Sequence, residues 1–141
     1  MEGISKSLNF ISKEMIIQIN RQMITKYGGL FVGKDNLKNP GSLDWVLDAI
    51  QYPIFGCDKY PSLLHKAAQL GWIINAGHVF NDGNKRTSNM SVLLFLAAND
   101  LRVIAKIEEF IDVSEKIATC KTSGYKVENY LLWLERHIKP I

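Results

Sequence analysis

Cysteine is scarce. Cys57 and Cys120 are the only two in 141 residues, and no CxxC pair occurs. That usage excludes both a cysteine-built zinc site and the disulfide framework of a small secreted scaffold, and it makes a reducing cytoplasm the expected setting. Long apolar runs are missing too. The longest, Val92 to Ala98, falls far short of the roughly 20 residues a bilayer span needs, so no membrane partner is expected. Lys6, Lys13 and Glu14 interrupt the early apolar residues, which argues against a signal peptide. Excess charge of one sign is slight. A formal net charge of +3 eases approach to nucleotides or acidic partners but does not mark a nucleic-acid binder. Repeats, low-complexity tracts and linkers are absent. With 47% apolar and 22% charged residues, disordered and fibrous classes fit poorly, leaving one globular domain over residues 1–141.

What is present is helical spacing along most of the chain. Ser12 is placed to cap a helix carrying Met15, Ile16, Ile19 and Met23 and ending at Gly28-Gly29. Asn39-Pro40-Gly41-Ser42 reads as a turn into a short helix with Leu43, Val46, Leu47 and Ile50 on one face. Pro61 suits the start of a helix bearing Leu63, Leu64, Ala67, Leu70 and Ile74 and ending near Gly77. A fourth helix follows Asn84 and runs to about Asn99-Asp100. Ile107, Phe110, Ile111 and Ile117 mark a fifth, and Val127, Tyr130, Leu131 and Leu134 a last. Tyr52 to Tyr60 mixes aromatics with turn formers and has no helical period, so it reads as an exposed hairpin or flap. Leu101 to Ile104 suits a short extended piece. The expected architecture is an all-α bundle of about six helices with a short β-hairpin flap.

The chemistry concentrates between the third and fourth helices, in His78-Val79-Phe80-Asn81-Asp82-Gly83-Asn84-Lys85-Arg86-Thr87. Polar catalytic types at a helix start make an anion-binding arrangement, because free N–H groups and the helix dipole both point there. Histidine is the side chain suited to take a proton from a hydroxyl nucleophile near neutrality. His78, displayed in a loop, is the candidate base; alone it would read as a helix cap, but Asp82 and Asn84 beside it favour the base. Asp82 suits Mg²⁺, which bridges phosphate oxygens, although Asp82 or Asn84 would also serve as an ordinary N-cap. Gly83 lets the backbone approach a ligand, and with Asn84 and Lys85 it can form a nest of N–H donors. Arg86 adds a planar fork matched to phosphate and Lys85 a mobile charge; a bare Lys-Arg pair would otherwise be solvated surface. Phe80 is expected to be buried. His65 and His137 are expected to face solvent, and Trp45, Trp72 and Trp133 to be core or half-buried anchors.

Residues 78–86 resemble the signature of the Fic/Doc superfamily, His-x-Phe-x-Asp/Glu-Gly-Asn-Gly/Lys-Arg. Lys26-Tyr27-Gly28-Gly29-Leu30, Pro40-Gly41-Ser42-Leu43, Phe55-Gly56, Tyr60-Pro61-Ser62-Leu63 and Lys66-Ala67-Ala68 are similar to words carried by Doc-type (death-on-curing) toxins. The resemblance covers roughly residues 25 to 97. It implies a Fic-type helical domain with His78 as general base, Asp82 as Mg²⁺ ligand, Gly83, Asn84, Lys85 and Arg86 as the phosphate cradle for ATP, and residues 55–60 as a flap holding a target segment as an added strand.

Lys85 separates two branches of that superfamily. Fic adenylyltransferases usually have glycine there, whereas the Doc branch has lysine, binds nucleotide in reversed polarity and transfers the γ-phosphoryl group to a threonine of elongation factor Tu, which stops translation. The resemblance thus implies a toxin acting on a protein hydroxyl, with adenylyl transfer and a catalytically silent binding module as the alternatives. Asn89 stands where adenylyltransferases usually place a second arginine. Met90 stands where the Doc archetype has asparagine, and Gly83 where it has alanine. Self-inhibited Fic proteins carry a Ser/Thr-x-x-x-Glu lock; its nearest counterpart, Gly124 to Asn129, lacks the hydroxyl residue. Restraint by a separate small antitoxin protein is therefore implied.

Overall fold

The structure, a computed structural model, describes residues 7–141. The reading of Lys6 against a signal peptide lies outside them. Helix α1, Lys13–Tyr27, is capped by Ser12, whose Oγ accepts from the backbone N–H of Met15, and it stops at Gly28, where φ is +85°. Helix α2, Pro40–Gln51, begins directly at Pro40, since a fixed φ and a missing donor cost nothing in a first turn. Helix α3, Leu63–Ala76, is capped by Ser62, not begun by Pro61: Ser62 Oγ accepts from His65 N–H. Helix α4, Asn84–Ala97, follows the motif. Helix α5, Ile107–Ala118, and helix α7, Val127–His137, match the spacing seen in sequence, but a single turn between them, α6 (Cys120–Ser123), carried no periodic signal.

Seven helices among the described residues make a mostly helical fold. The two-stranded sheet among the described residues is not the expected flap. Strand β1, Leu101–Val103, pairs antiparallel with β2, Ile138–Pro140, in the register Arg102 to Lys139. The chain's end thus returns to the end of α4, a pairing too long-range for local pattern to announce. The expected hairpin at residues 52–60 reduces to one bridged pair: Ile54 and Cys57 exchange both backbone hydrogen bonds at 2.8 and 2.9 Å, around Phe55 and Gly56, both with positive φ. Phe55 is fully exposed at the tip. The base of this flap is tied down, because buried Lys66 on α3 donates to Asp58 at 3.0 Å.

Helices α3 and α4 form the central pair, with α1, α2, α5 and α7 packed around them. Leu43, Val46, Leu70, Ile74, Phe95, Leu96, Ile117, Tyr130 and Leu134 lie within one apolar cluster. Each such side chain contributes roughly 1.5–3 kcal/mol on burial. Phe80 is wholly buried there as well, so the motif loop is bolted into the core at its third residue. Two expectations need correction. Trp45 is exposed and carries the Lys59 ammonium 5.1 Å above its ring. His137 does not face solvent; it stacks on Trp133 at 4.3 Å and its Nε2 bonds Glu109 Oε2 at 2.8 Å, joining α7 to α5. No helix among the described residues is long and apolar enough to cross a membrane.

Candidate active site

His78 occupies the turn that follows α3, with its backbone at φ +47°, a conformation a side chain adopts only when its surroundings enforce it. The enforcement is visible. Asn39, at the head of α2, donates from Nδ2 to the carbonyls of both Gly77 and His78, at 3.1 and 2.8 Å. The carbonyl of Val79 accepts from the N–H groups of Lys38 and Asn39, and Asn81 donates to the carbonyl of Asn36 from its backbone and from its side chain. The loop is thereby sewn to residues 36–39 as a short antiparallel contact between Leu37 and Phe80. The imidazole is left exposed.

Behind the loop lies a buried amide relay. Asn36 donates to Asn20 Oδ1 at 2.9 Å, and Asn20 Nδ2 donates to the Asp82 carbonyl at 2.8 Å and to Thr87 Oγ1 at 3.0 Å. Both asparagines are completely buried, and a buried amide persists only when its groups are paired. Sequence reading passed over both. The available signal was Asn20 itself, a polar residue four positions from Ile16 and from Ile24 on the apolar stripe of α1.

Asp82 is held from two sides: Oδ1 accepts from Gly83 N–H at 2.8 Å, and Oδ2 accepts from Leu30 N–H at 2.9 Å. The approach of the Leu30 segment depends on Gly29, where an added Cβ would lie 2.7 Å from Asp82 Oδ2. Each carboxylate oxygen keeps a further lone pair free to accept. Among the described residues no three His, Cys, Asp or Glu side chains cluster, so one fixed carboxylate is what the site presents to a cation. Mg²⁺ fits that donor set, because it is commonly held by one or two carboxylates with substrate phosphates completing the shell.

Neither Asp82 nor Asn84 caps α4. The N-cap is Gly83 at φ +76°, and no side chain bonds the first turn. The amides of Asn84, Lys85 and Arg86 therefore face outward without the intrahelical acceptors that later residues have. The Asn84 side chain is used elsewhere: its Oδ1 accepts from Phe80 N–H and its Nδ2 donates to Phe80 carbonyl. What Asn84 offers a ligand is its backbone N–H. Of the two cations, the guanidinium of Arg86 rests 4.4 Å over the ring of Tyr27, which orients it. The ammonium of Lys85 is paired with Glu115 on α5, a partner no local pattern revealed.

His78, Asp82, Gly83, Asn84, Lys85 and Arg86 all line one open cavity of about 400 Å³, walled also by Asn75 and Ala118. An imidazole, a carboxylate, a helix N-terminus and two cations thus share one open space. Such a space can seat a polyphosphate with a hydroxyl nucleophile beside the imidazole.

Comparison with known proteins shows the family. The model of the Fic/DOC family matches residues 10–96. The protein kinase doc of Escherichia phage P1 is 30% identical over 124 residues, covering 88% of this chain and 94% of that protein. The toxin Doc of Mycolicibacterium smegmatis is 30% identical over 104 residues, covering 72% of this chain and 80% of its own. With the motif, the helical frame and both relatives in agreement, this chain belongs to the Fic/DOC family.

Proposed function

We propose that this protein is a Doc-type toxin that transfers the γ-phosphoryl group of ATP to a hydroxyl on a protein target. The observation that carries the reading is the shared cavity: His78 and the open first turn of α4 with Lys85 and Arg86 line the same space. The names of the relatives, a protein kinase and a toxin, support it further. His78 takes the proton of the target hydroxyl as its oxygen bonds the γ-phosphorus. The bond from that phosphorus to the β,γ-bridging oxygen breaks, and the nucleoside diphosphate departs. The amides of Asn84, Lys85 and Arg86 and the Arg86 fork hold the phosphate oxygens where charge accumulates. Asp82 would hold Mg²⁺, which would offset negative charge on the phosphates. The exposed Phe55 turn would dock an extended target segment. The family resemblance makes a threonine of elongation factor Tu the target, arrest of translation in the cytoplasm the consequence, and a small antitoxin protein the restraint.

The test uses the purified chain, a cell lysate and ATP labelled at either the α or the γ position. Label from the γ position is expected on a protein of translation-factor size, and His78→Ala is expected to cut the rate by about 10²–10⁴-fold, the usual worth of a general base. Label arriving only from the α position identifies adenylyl transfer instead. No transfer and no nucleotide binding identify a silent binding module.

A further inference from the structure

A separate cavity, of about 280 Å³, opens where α2 runs into the flap, and no residue of the motif lines it. Trp45 and Asp48 border it from α2, Tyr52 from the cap of that helix, and Pro53 and Ile54 from the flap. Steps of three and then four residues put Trp45, Asp48 and Tyr52 on one helix face. That face is open: Trp45 is 44% and Tyr52 59% exposed. Two aromatic rings thus accompany one carboxylate, and the carboxylate is unspent. Asp44, one turn earlier, is paired with Lys13 at 3.0 Å, and Asp58 in the flap with Lys66. Asp48 has no side-chain partner among the described residues. The indole, by contrast, already holds a cation, because the Lys59 ammonium rests 5.1 Å from the centre of the Trp45 ring.

We propose that this cavity is a cation cage that reads one arginine or lysine of the protein target, a few residues from the acceptor hydroxyl. The inference rests on the reading of a protein substrate seated along the flap, and it names the side chain that substrate carries. Ring faces attract a cation, and a carboxylate beside them adds direct charge attraction. A guanidinium suits both, since its plane stacks on an indole while its edge donates to a carboxylate. Lys59 hangs from the flap on a flexible stem, and the less strongly hydrated guanidinium takes its place on Trp45. A volume just under the roughly 300–1,000 Å³ of small-molecule sites suits one side chain and not a cofactor. The spacing is set by α2. Its head, at Asn39, bonds the His78 carbonyl, and Asp48 lies on the order of 10–15 Å further along the helix axis. An extended segment crosses that distance in about three to five residues.

The test measures binding of dye-labelled synthetic peptides to the intact chain by fluorescence anisotropy, without ATP, so it does not depend on any transfer reaction. Each peptide carries one threonine in an alanine-glycine host, with a single arginine or citrulline at one of the first few positions on either side. Citrulline keeps the shape of arginine and lacks its charge. The wild type is expected to bind the arginine peptide about five- to tenfold more tightly than its citrulline twin at the favoured spacing. Asp48→Asn and Trp45→Leu alter exposed positions, so the fold is retained. Each is expected to cut that ratio by about half or more, and the pair together to bring it near one, with citrulline binding unchanged. No preference for arginine at any spacing overturns the cage, and so does a preference that survives both substitutions. If arginine and citrulline peptides bind alike and Phe55→Ser abolishes both, the flap still seats the target and only the cage falls. If the arginine preference and its loss are both seen while no label passes from the γ position of ATP to protein, the cage stands and the phosphoryl-transfer reading falls.

Discussion

Asn84 clamps Phe80 through both halves of its amide, accepting the Phe80 N–H at 2.9 Å and donating to the Phe80 carbonyl at 2.8 Å. The first helical residue of α4 thus fastens the loop four residues earlier, and the motif becomes a closed ring with His78 just outside it. Asn84→Ala leaves both backbone groups without that partner, beside a side chain that is wholly buried. A loss of about 1–3 kcal/mol in unfolding free energy is expected, measured by urea denaturation. Asn84→Asp, which keeps the acceptor and loses the donor, should fall between the two.

Asn39 acts on His78 from another helix. Asn39→Ala removes two hydrogen bonds to the carbonyls of Gly77 and His78, so the strained turn is free to relax. The expected result is a fall of about tenfold or more in kcat with KM for ATP little changed, since a misplaced base costs rate more than binding. Equal changes in both constants would show a general loss of structure instead.

Gly29 keeps the Asp82 carboxylate accessible to the N–H of Leu30. Gly29→Ala introduces a methyl group 2.7 Å from Asp82 Oδ2 at a φ of +132°, so the carboxylate must move. Affinity for Mg²⁺-ATP is expected to drop by about 10–100-fold, as when a ligand loses its supporting partner, while metal-free ATP binding changes little. Titrations with and without Mg²⁺ decide it.

Glu115 competes with any phosphate for Lys85. The side chains are about half exposed, 46% and 55%, so solvent screens the pair and its worth is modest. Glu115→Gln should raise affinity for tripolyphosphate by about two- to fivefold. Lys85→Met should lower it and abolish the effect of the Glu115 change; additive effects would sink this account.

The start of α5, where Glu109 meets Lys106 and then His137, carries a pH dependence. The N–H of Lys106, and after it the His137 ring, hold the Glu109 carboxyl below its ordinary 4.5. A depressed carboxyl stabilises the fold at pH above its unfolded value, and that contribution disappears as pH falls through the folded one. Thermal stability should therefore decline in acid below about 4.5, and Glu109→Gln should flatten that decline. An unchanged acid limb in the variant would place the effect elsewhere.

The sequence by itself determined the elements and the motif. Helix positions follow from the 3.6-residue recurrence of apolar side chains, Ser12 and Gly28 mark the ends of α1, and Phe80 reads as the buried anchor of the motif loop. These are local properties, decided within one or two turns of chain, so they can be read in order along it. Tertiary structure alone decided what holds the motif. Asn20 reaches Asp82 across 62 residues and Leu30 reaches it across 52, while Lys85 meets Glu115, His137 meets Glu109, and β2 returns to β1. Periodicity says which face of a helix is buried but not what it is buried against. Hydrogen bonds between distant segments exist only after the core has brought them together, and those bonds fix where His78 and Asp82 stand.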